Sequence, residues 1–187
     1  MTYYGFVLYA IGTMFATICI TSLCIAASLG AAGPALPGTG HVQAVRSFTI
    51  VLNAPPDIAI RPFGAVAEQG WDPDWHPHFV FPTEPKDCEG AVFTIDRRGV
   101  QTWLLQTWDM QNHIVRYIAF DPGVKLTEIT IRVSAQGARS SQAVVTYRRT
   151  GLSSAGDEQV RHFAQLFTQE GPHWEAAING YLERSHS

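Results

Sequence analysis

The spacing of apolar residues changes from a strand-like to a helix-like repeat along this chain. Between residues 44 and 150, apolar and polar residues alternate along successive short runs, which is typical of strands that bury one face. From residue 160 onward, Val160, Phe167, Trp174 and Tyr181 recur every seven residues, which predicts one face of a helix. Strands first and a helix last predict an α+β fold in which the helix lies across one face of the sheet.

Seven runs have the pattern of strands, and most of the gaps between them are short. They span residues 44–52, 79–81, 90–96, 101–110, 113–121, 124–136 and 140–150. Short connections favour an antiparallel meander. The longer gap after the first run contains a short amphipathic helix, which begins near Pro56 and is interrupted near Pro62 and Gly64. Strict alternation along 101–110 would place Trp103 and Trp108 on opposite faces.

The last segment is predicted to be one long helix. Its apolar stripe stays in phase across Gly171 and Pro172, which favours a kink at the proline over two separate helices. Ser153 or Ser154 is the expected N-cap, and Asp157 follows where the helix dipole favours an anion.

Charge is absent from the start of the chain. Residues 1–40 contain no Asp, Glu, Lys, Arg or His, and residues 5–32 are almost continuously apolar. A bilayer-spanning helix needs about 20 such residues. We predict a hydrophobic leader over 1–32, a linker over 33–43 and one domain over 44–187. The leader is either a signal peptide cleaved among small residues or an uncleaved single-pass anchor, so the protein is expected to be exported or membrane-anchored. A mis-assigned start codon before a cytosolic domain is the alternative.

Several functional classes lack support in the sequence. A net charge of −3 argues against a nucleic-acid surface. No Gly-x-Ser-x-Gly elbow, P-loop, His-Glu-x-x-His motif or dinucleotide fingerprint is present, so we expect no cofactor. One cluster has residue types that ligate metals, but prolines interrupt the extended segment that would align them, and we expect no metal there. Its members are Asp72, Asp74, His76 and His78.

Three segments resemble a known family. They are Glu68 to Trp75, with its Glu-x-x-Trp and second Trp, then 103–117, and then 146–153 together with 174–182. These segments and the order of elements resemble the START/Bet v 1-like (SRPBCC) superfamily over about residues 44–184. The resemblance implies a helix-grip fold, in which a curved antiparallel sheet wraps around a long C-terminal helix and an apolar cavity lies between them. Relatives bind lipids, sterols, polyketides or plant hormones, and some are cyclases or dehydratases.

The aromatic residues are the candidates for the wall of that cavity, because apolar ligand sites are lined mainly by aromatic side chains. Ordinary core packing is the alternative for each of them. The predicted ligand-binding residues are Trp71, Trp75, Phe93, Trp103, Trp108, Tyr117, Phe167 and Trp174.

Three functions stay open at this stage. The leading hypothesis is a module that binds a small hydrophobic or amphipathic ligand, because no catalytic constellation is present. The second is an enzyme similar to polyketide cyclases or dehydratases, with His76, His78 or Glu68 as acid or base. The third is a protein-interaction or regulatory module. The ligand, the membrane side and the oligomeric state are left open.

Overall fold

A computed structural model describes residues 40–96, 99–167 and 170–185. Within these ranges, seven strands form one antiparallel sheet in the order β1-β7-β6-β5-β4-β3-β2. The strands are β1 (Gln43–Leu52), β2 (His78–Phe81), β3 (Val92–Asp96), β4 (Val100–Asp109), β5 (Ile114–Asp121), β6 (Lys125–Gly137) and β7 (Ser140–Gly151).

Strands β2 to β7 follow one another as hairpins, which confirms the predicted meander. Strand β1 pairs with β7, so the first and last strands of the chain are neighbours and β1 and β2 form the two edges. The segment between β1 and β2 contains α1 (Pro56–Ala59) and two 3₁₀ turns (Arg61–Phe63 and Ala67–Gly70). Pro56 occupies the first turn of α1, as predicted.

A β-bulge in β4 changes the face that its last residues occupy. Leu105 pairs with Tyr117, and Trp108 pairs with Val115. The step from the first pair to the second is three residues along β4 but only two along β5. Because opposed residues of antiparallel strands share a face, Trp108 lies on the same face as Leu105. The strict alternation predicted for 101–110 is therefore wrong, since the extra residue shifts the two-residue period by one.

In the described part of the chain, two helices follow β7, namely α2 (Ser154–Leu166) and α3 (Glu170–Ser185). The predicted single helix with a kink at Pro172 is wrong, because α2 ends before it and Pro172 lies in the first turn of α3. A proline fits there because the N–H groups of the first turn have no partner within a helix. The predicted apolar stripe does face inward, and Val160 and Phe167 are buried.

Side chains of α3 bind backbone groups at the end of the edge strand β1. The Glu175 Oε2 atom accepts a hydrogen bond from the Val51 N–H at 2.8 Å. The Asn179 side chain accepts from the Asn53 N–H at 2.8 Å and donates to the Val51 carbonyl at 3.0 Å. An uncovered edge strand offers its backbone groups to another chain, and these contacts satisfy the groups of Val51 and Asn53 within the domain.

The beginning of α2 is tied to the beginning of β1. The Ser153 side chain accepts from the Gly156 N–H at 3.2 Å, which makes it the N-cap. The Asp157 carboxylate accepts from the Val42 N–H at 2.8 Å and lies 3.3 Å from the His41 Nδ1 atom. The Val42 bond contributes most to holding the pKa of Asp157 below its usual range. The described end of the predicted linker is thus held against the domain.

The predicted leader, residues 1–32, lies outside the described residues. Among the helices that are described, none combines the length and the hydropathy that crossing a bilayer requires.

Two helical glycines give opposite predictions for substitution by alanine. A Cβ atom at Gly156 would collide with the carbonyl oxygen of Val124, which also accepts from the Leu152 N–H at 2.8 Å. We expect Gly156→Ala to lower the free energy of unfolding by about 1–3 kcal/mol. A Cβ atom at Gly180 would meet only the flexible end of Arg184 at 3.4 Å, so Gly180→Ala should raise it by about 0.5–1 kcal/mol. Urea unfolding of both variants measures this, and a Gly156→Ala protein as stable as the wild type would contradict the packing described.

Candidate functional site

A cavity of about 370 Å³ lies against the inner face of the sheet, and residues of α2, α3 and the turns after β1 complete its wall. An outer pocket of about 450 Å³ adjoins it. Ligand-binding cavities commonly have volumes of about 300–1,000 Å³. The residues that line both are Gln101, Lys125, Arg149, Phe163, Phe167 and Glu170.

One row of residues across the sheet forms the floor of the cavity. Trp103 pairs with Ala119, Ala119 with Thr127, and Thr127 with Arg149. Opposed residues share a face, and all four line the cavity. The two middle side chains are small and buried, each 5% exposed, whereas the two outer ones are large. The space therefore lies above Ala119 and Thr127.

Aromatic side chains form the walls, and hydrogen bonds fix two of them. The Trp71 indole donates to the Pro62 carbonyl at 2.8 Å, and the Trp75 indole donates to the Ala65 carbonyl at 2.8 Å. The Trp71 ring lies 5.1 Å from the Trp174 ring, centroid to centroid. These bonds anchor the rings to the turns after β1, so this part of the wall has a defined shape.

Six of the eight predicted ligand-binding residues line the cavity, and two do not. Phe93 is fully buried beside Trp103, on which its ring stacks at 6.0 Å and 16°, and it is not among the residues that line the cavity. Trp108 is partly buried and packs against the core, away from the cavity. The six that line the cavity are Trp71, Trp75, Trp103, Tyr117, Phe167 and Trp174.

The sequence did not single out the polar side chains of β7 and β6 that line the cavity. Alternation along β7 carries the relevant signal, because it places Tyr147 and Arg149 on the same face as the buried Val145. Lys125 at the start of β6 also lines the cavity, and its ammonium donates to Asp121 at 2.8 Å and to the Gln159 side chain at 2.8 Å.

Of the three predicted acid/base candidates, the structure brings one to the cavity. Glu68 lines it and is 8% exposed. His76 and His78 are exposed and lie outside the residues that line it. Within the described ranges, no three His, Cys, Asp or Glu side chains are grouped so that they could hold a metal ion.

The phenol of Tyr117 is buried and is influenced by two carboxylates. Its hydroxyl donates to the Phe63 carbonyl at 2.9 Å. Burial raises the pKa of Tyr117 well above its usual range, and the charges of Glu68 and Asp87 raise it further. Burial also raises the pKa of Asp87, although its carboxylate accepts from the Val66 N–H at 2.9 Å. The phenol therefore stays protonated and acts as a fixed donor.

Two buried donors on the cavity wall lack a hydrogen-bond partner among the residues that the structure describes. They are the Nε atom of Arg149 and the indole Nε1 atom of Trp103. The guanidinium carbon of Arg149 lies 3.6 Å from the centroid of the Phe163 ring. Burial lowers the pKa of Arg149, against the opposing effects of Tyr147 and Glu170.

No protein-family model matches this chain, and no curated protein matches it. Many solved structures do resemble it. Norcoclaurine synthase from Thalictrum flavum, in complex with dopamine and hydroxybenzaldehyde, is 12% identical, with 84% of this chain and 99% of that chain covered and a TM-score of 0.58. The Zhui aromatase/cyclase from Streptomyces sp. R1128 is 15% identical, with coverages of 78% and 97% and a TM-score of 0.57.

A third structure of the same kind is Ara h 8.0201, which is 13% identical, with coverages of 76% and 99% and a TM-score of 0.53. This chain has the helix-grip fold of the START/Bet v 1-like superfamily. The predicted fold class is therefore confirmed. Identities this low establish the helix-grip fold alone, because that fold carries many unrelated functions.

The Tyr117 environment predicts a missing step in an alkaline titration. Exposed tyrosines ionise near pH 10. Tyr117 should not ionise until the helix-grip domain unfolds, since its neutral form is favoured by burial and by two nearby carboxylates. Ultraviolet difference titrations of the wild type and Tyr117→Phe should therefore coincide below the unfolding transition. A wild-type curve that contains one additional tyrosine near pH 10 would contradict this account.

Proposed function

We propose that the protein binds a small hydrophobic or amphipathic ligand in the cavity above Ala119 and Thr127. The observation that carries this proposal is the pair of small side chains between Trp103 and Arg149 in one row of the sheet. They leave a cavity of about 370 Å³ between aromatic side chains. Protein interiors are close-packed, with few voids larger than a water molecule. A space of this size inside the fold is therefore a feature that a ligand would use.

The solved structures support the same proposal without deciding the ligand. One of them holds dopamine and hydroxybenzaldehyde, which are small aromatic molecules. The aromatic wall of this cavity suits a ligand of that general kind. Attachment to a membrane or export, through residues 1–32, stays a prediction from the sequence and is part of the proposed function.

Filling the cavity should remove binding. Ala119→Phe places a large side chain on the floor, whereas Ala176→Phe adds the same side chain at an exposed position of α3. The probe is N-phenyl-1-naphthylamine, a neutral aromatic whose fluorescence rises in an apolar site. We expect the full-length wild type and Ala176→Phe to enhance the fluorescence equally, and Ala119→Phe to lose most of the enhancement. Far-UV circular dichroism establishes that each variant is folded.

The full chain is used because the leader is then common to all three proteins, and any probe that it binds gives the same background. Equal enhancement by wild type and Ala119→Phe would show that the probe binds elsewhere, and would contradict the proposed function.

A second function is favoured by the position of Glu68. A buried carboxylate on the cavity wall is placed as a general acid or base, which the cyclase or dehydratase hypothesis requires. In this version, Glu68 removes a proton next to a carbonyl group of a bound molecule, and neither His76 nor His78 takes part.

Proton exchange tests that version without knowledge of the natural substrate. The ketone 2-tetralone exchanges the hydrogens next to its carbonyl with D₂O, and ¹H NMR follows the rate. A positioned base contributes about 10²–10⁴-fold, so the wild type should accelerate exchange and Glu68→Gln should not. Glu89→Gln, at an exposed position, is the matched control. Equal rates with wild type and Glu68→Gln would remove the enzyme hypothesis for Glu68.

A further inference from the structure

Arg149 occupies a position that the pattern of β7 assigns to an apolar side chain. The inward positions of this strand include Ala143 and Val145, which are fully buried. Arg149 continues that series on the cavity side, whereas its neighbour Arg148 points outward and is exposed. A positive charge has thus been placed on the inner face of the sheet, where burying it is unfavourable unless a partner compensates.

Aromatic rings hold the guanidinium of Arg149, and its Nε atom is left without a hydrogen-bond partner among the described residues. The group lies 3.6 Å above the centroid of Phe163 and 5.4 Å from that of Tyr147. Stacking of this kind covers the face of the guanidinium and leaves the N–H groups at its edge as donors. The Nε atom is buried and has no hydrogen-bond partner in the described residues. The aromatic side chains therefore orient a cation whose Nε–H group has no acceptor among the described residues.

The neighbouring charges do not remove this requirement. Lys125, on the same wall, already donates to Asp121 and Gln159. Glu170 favours the charged form of Arg149, but its side chain is exposed, and water screens such a charge. The ion pairs found among the described residues do not include Arg149.

Trp103 supplies a second donor in the same row of the sheet. Its indole Nε1 atom is buried without a hydrogen-bond partner in the described part of the chain. Three strand spacings separate Trp103 from Arg149, which is about 14 Å between backbones at roughly 4.8 Å per strand. Ala119 and Thr127 lie between them in this row, and all four residues line the cavity. Both unsatisfied groups are donors, so the complementary molecule must present acceptors.

We propose that the cavity selects an amphipathic organic anion, a small ring compound whose carboxylate or similar oxyanion pairs with Arg149 and whose second oxygen accepts from the Trp103 indole. This inference rests on the proposed function, because it specifies which chemical class the cavity holds. A neutral apolar ligand would leave both donors buried without a partner, whereas an acid satisfies them and neutralises the charge.

Two fluorescent probes with the same aromatic body test the charge selectivity. They are 1-anilinonaphthalene-8-sulfonate, which carries an oxyanion, and N-phenyl-1-naphthylamine, which does not. Each is titrated into full-length wild type, Arg149→Met and the matched control Arg148→Met. Binding that survives in Ala119→Phe is subtracted as binding outside the cavity. We expect Arg149→Met to weaken the sulfonate at least about tenfold and to change the neutral probe by less than about twofold, with Arg148→Met changing neither.

The outcomes separate the two proposals. If both probes bind the cavity of the wild type and Arg149→Met changes them equally, the anion proposal is overturned and the binding function stands. If neither probe binds, the binding function fails and the anion proposal fails with it. Arg149→Gln removes the same charge with a polar side chain, and it replaces Arg149→Met if circular dichroism shows that the methionine variant is unfolded.

Discussion

The small side chains of Ala119 and Thr127 in the middle of a curved sheet are the feature on which the rest of this structure depends. A sheet with large residues at both positions could pack directly against the helices and close its core. Here both side chains are small, and large aromatic side chains from α2, α3 and the turns after β1 surround the space above them. Phe167, directly after the end of α2, contributes to the wall.

Polar groups then decide what such a space can accept. On one strand, Tyr117 donates to a backbone carbonyl, and burial, together with two nearby carboxylates, keeps its phenol protonated. On two other strands, Arg149 and Trp103 line the cavity, and each has a buried donor for which no described residue supplies an acceptor. Apolar walls supply most of the binding energy of a small molecule, whereas a few placed polar groups determine its orientation and class. The proposed ligand follows from this division.

The sequence predicted the architecture well and the site in part, for reasons visible in particular residues. Alternation and short gaps were sufficient for the meander, because each strand buries one face. The kink assigned to Pro172 was wrong, because the heptad stripe records which side is buried and not whether the helix is continuous. Trp108 was placed on the wrong face because a bulge leaves no mark in an alternating pattern. Arg149 was not identified as a site residue, because its partner Phe163 lies on a different element.

The indole N–H resonances of the tryptophans test the central claim most directly, since each reports on its own surroundings. In ¹H–¹⁵N spectra, assigned with Trp103→Phe and Trp108→Phe, an aromatic acid such as 1-naphthoate is added to the protein. The account predicts that the Trp103 indole signal shifts in a saturable manner and that the Trp108 signal, which arises outside the cavity, does not move. A shift of Trp108 with Trp103 unchanged would contradict the account, because the ligand would then bind somewhere other than above Ala119 and Thr127.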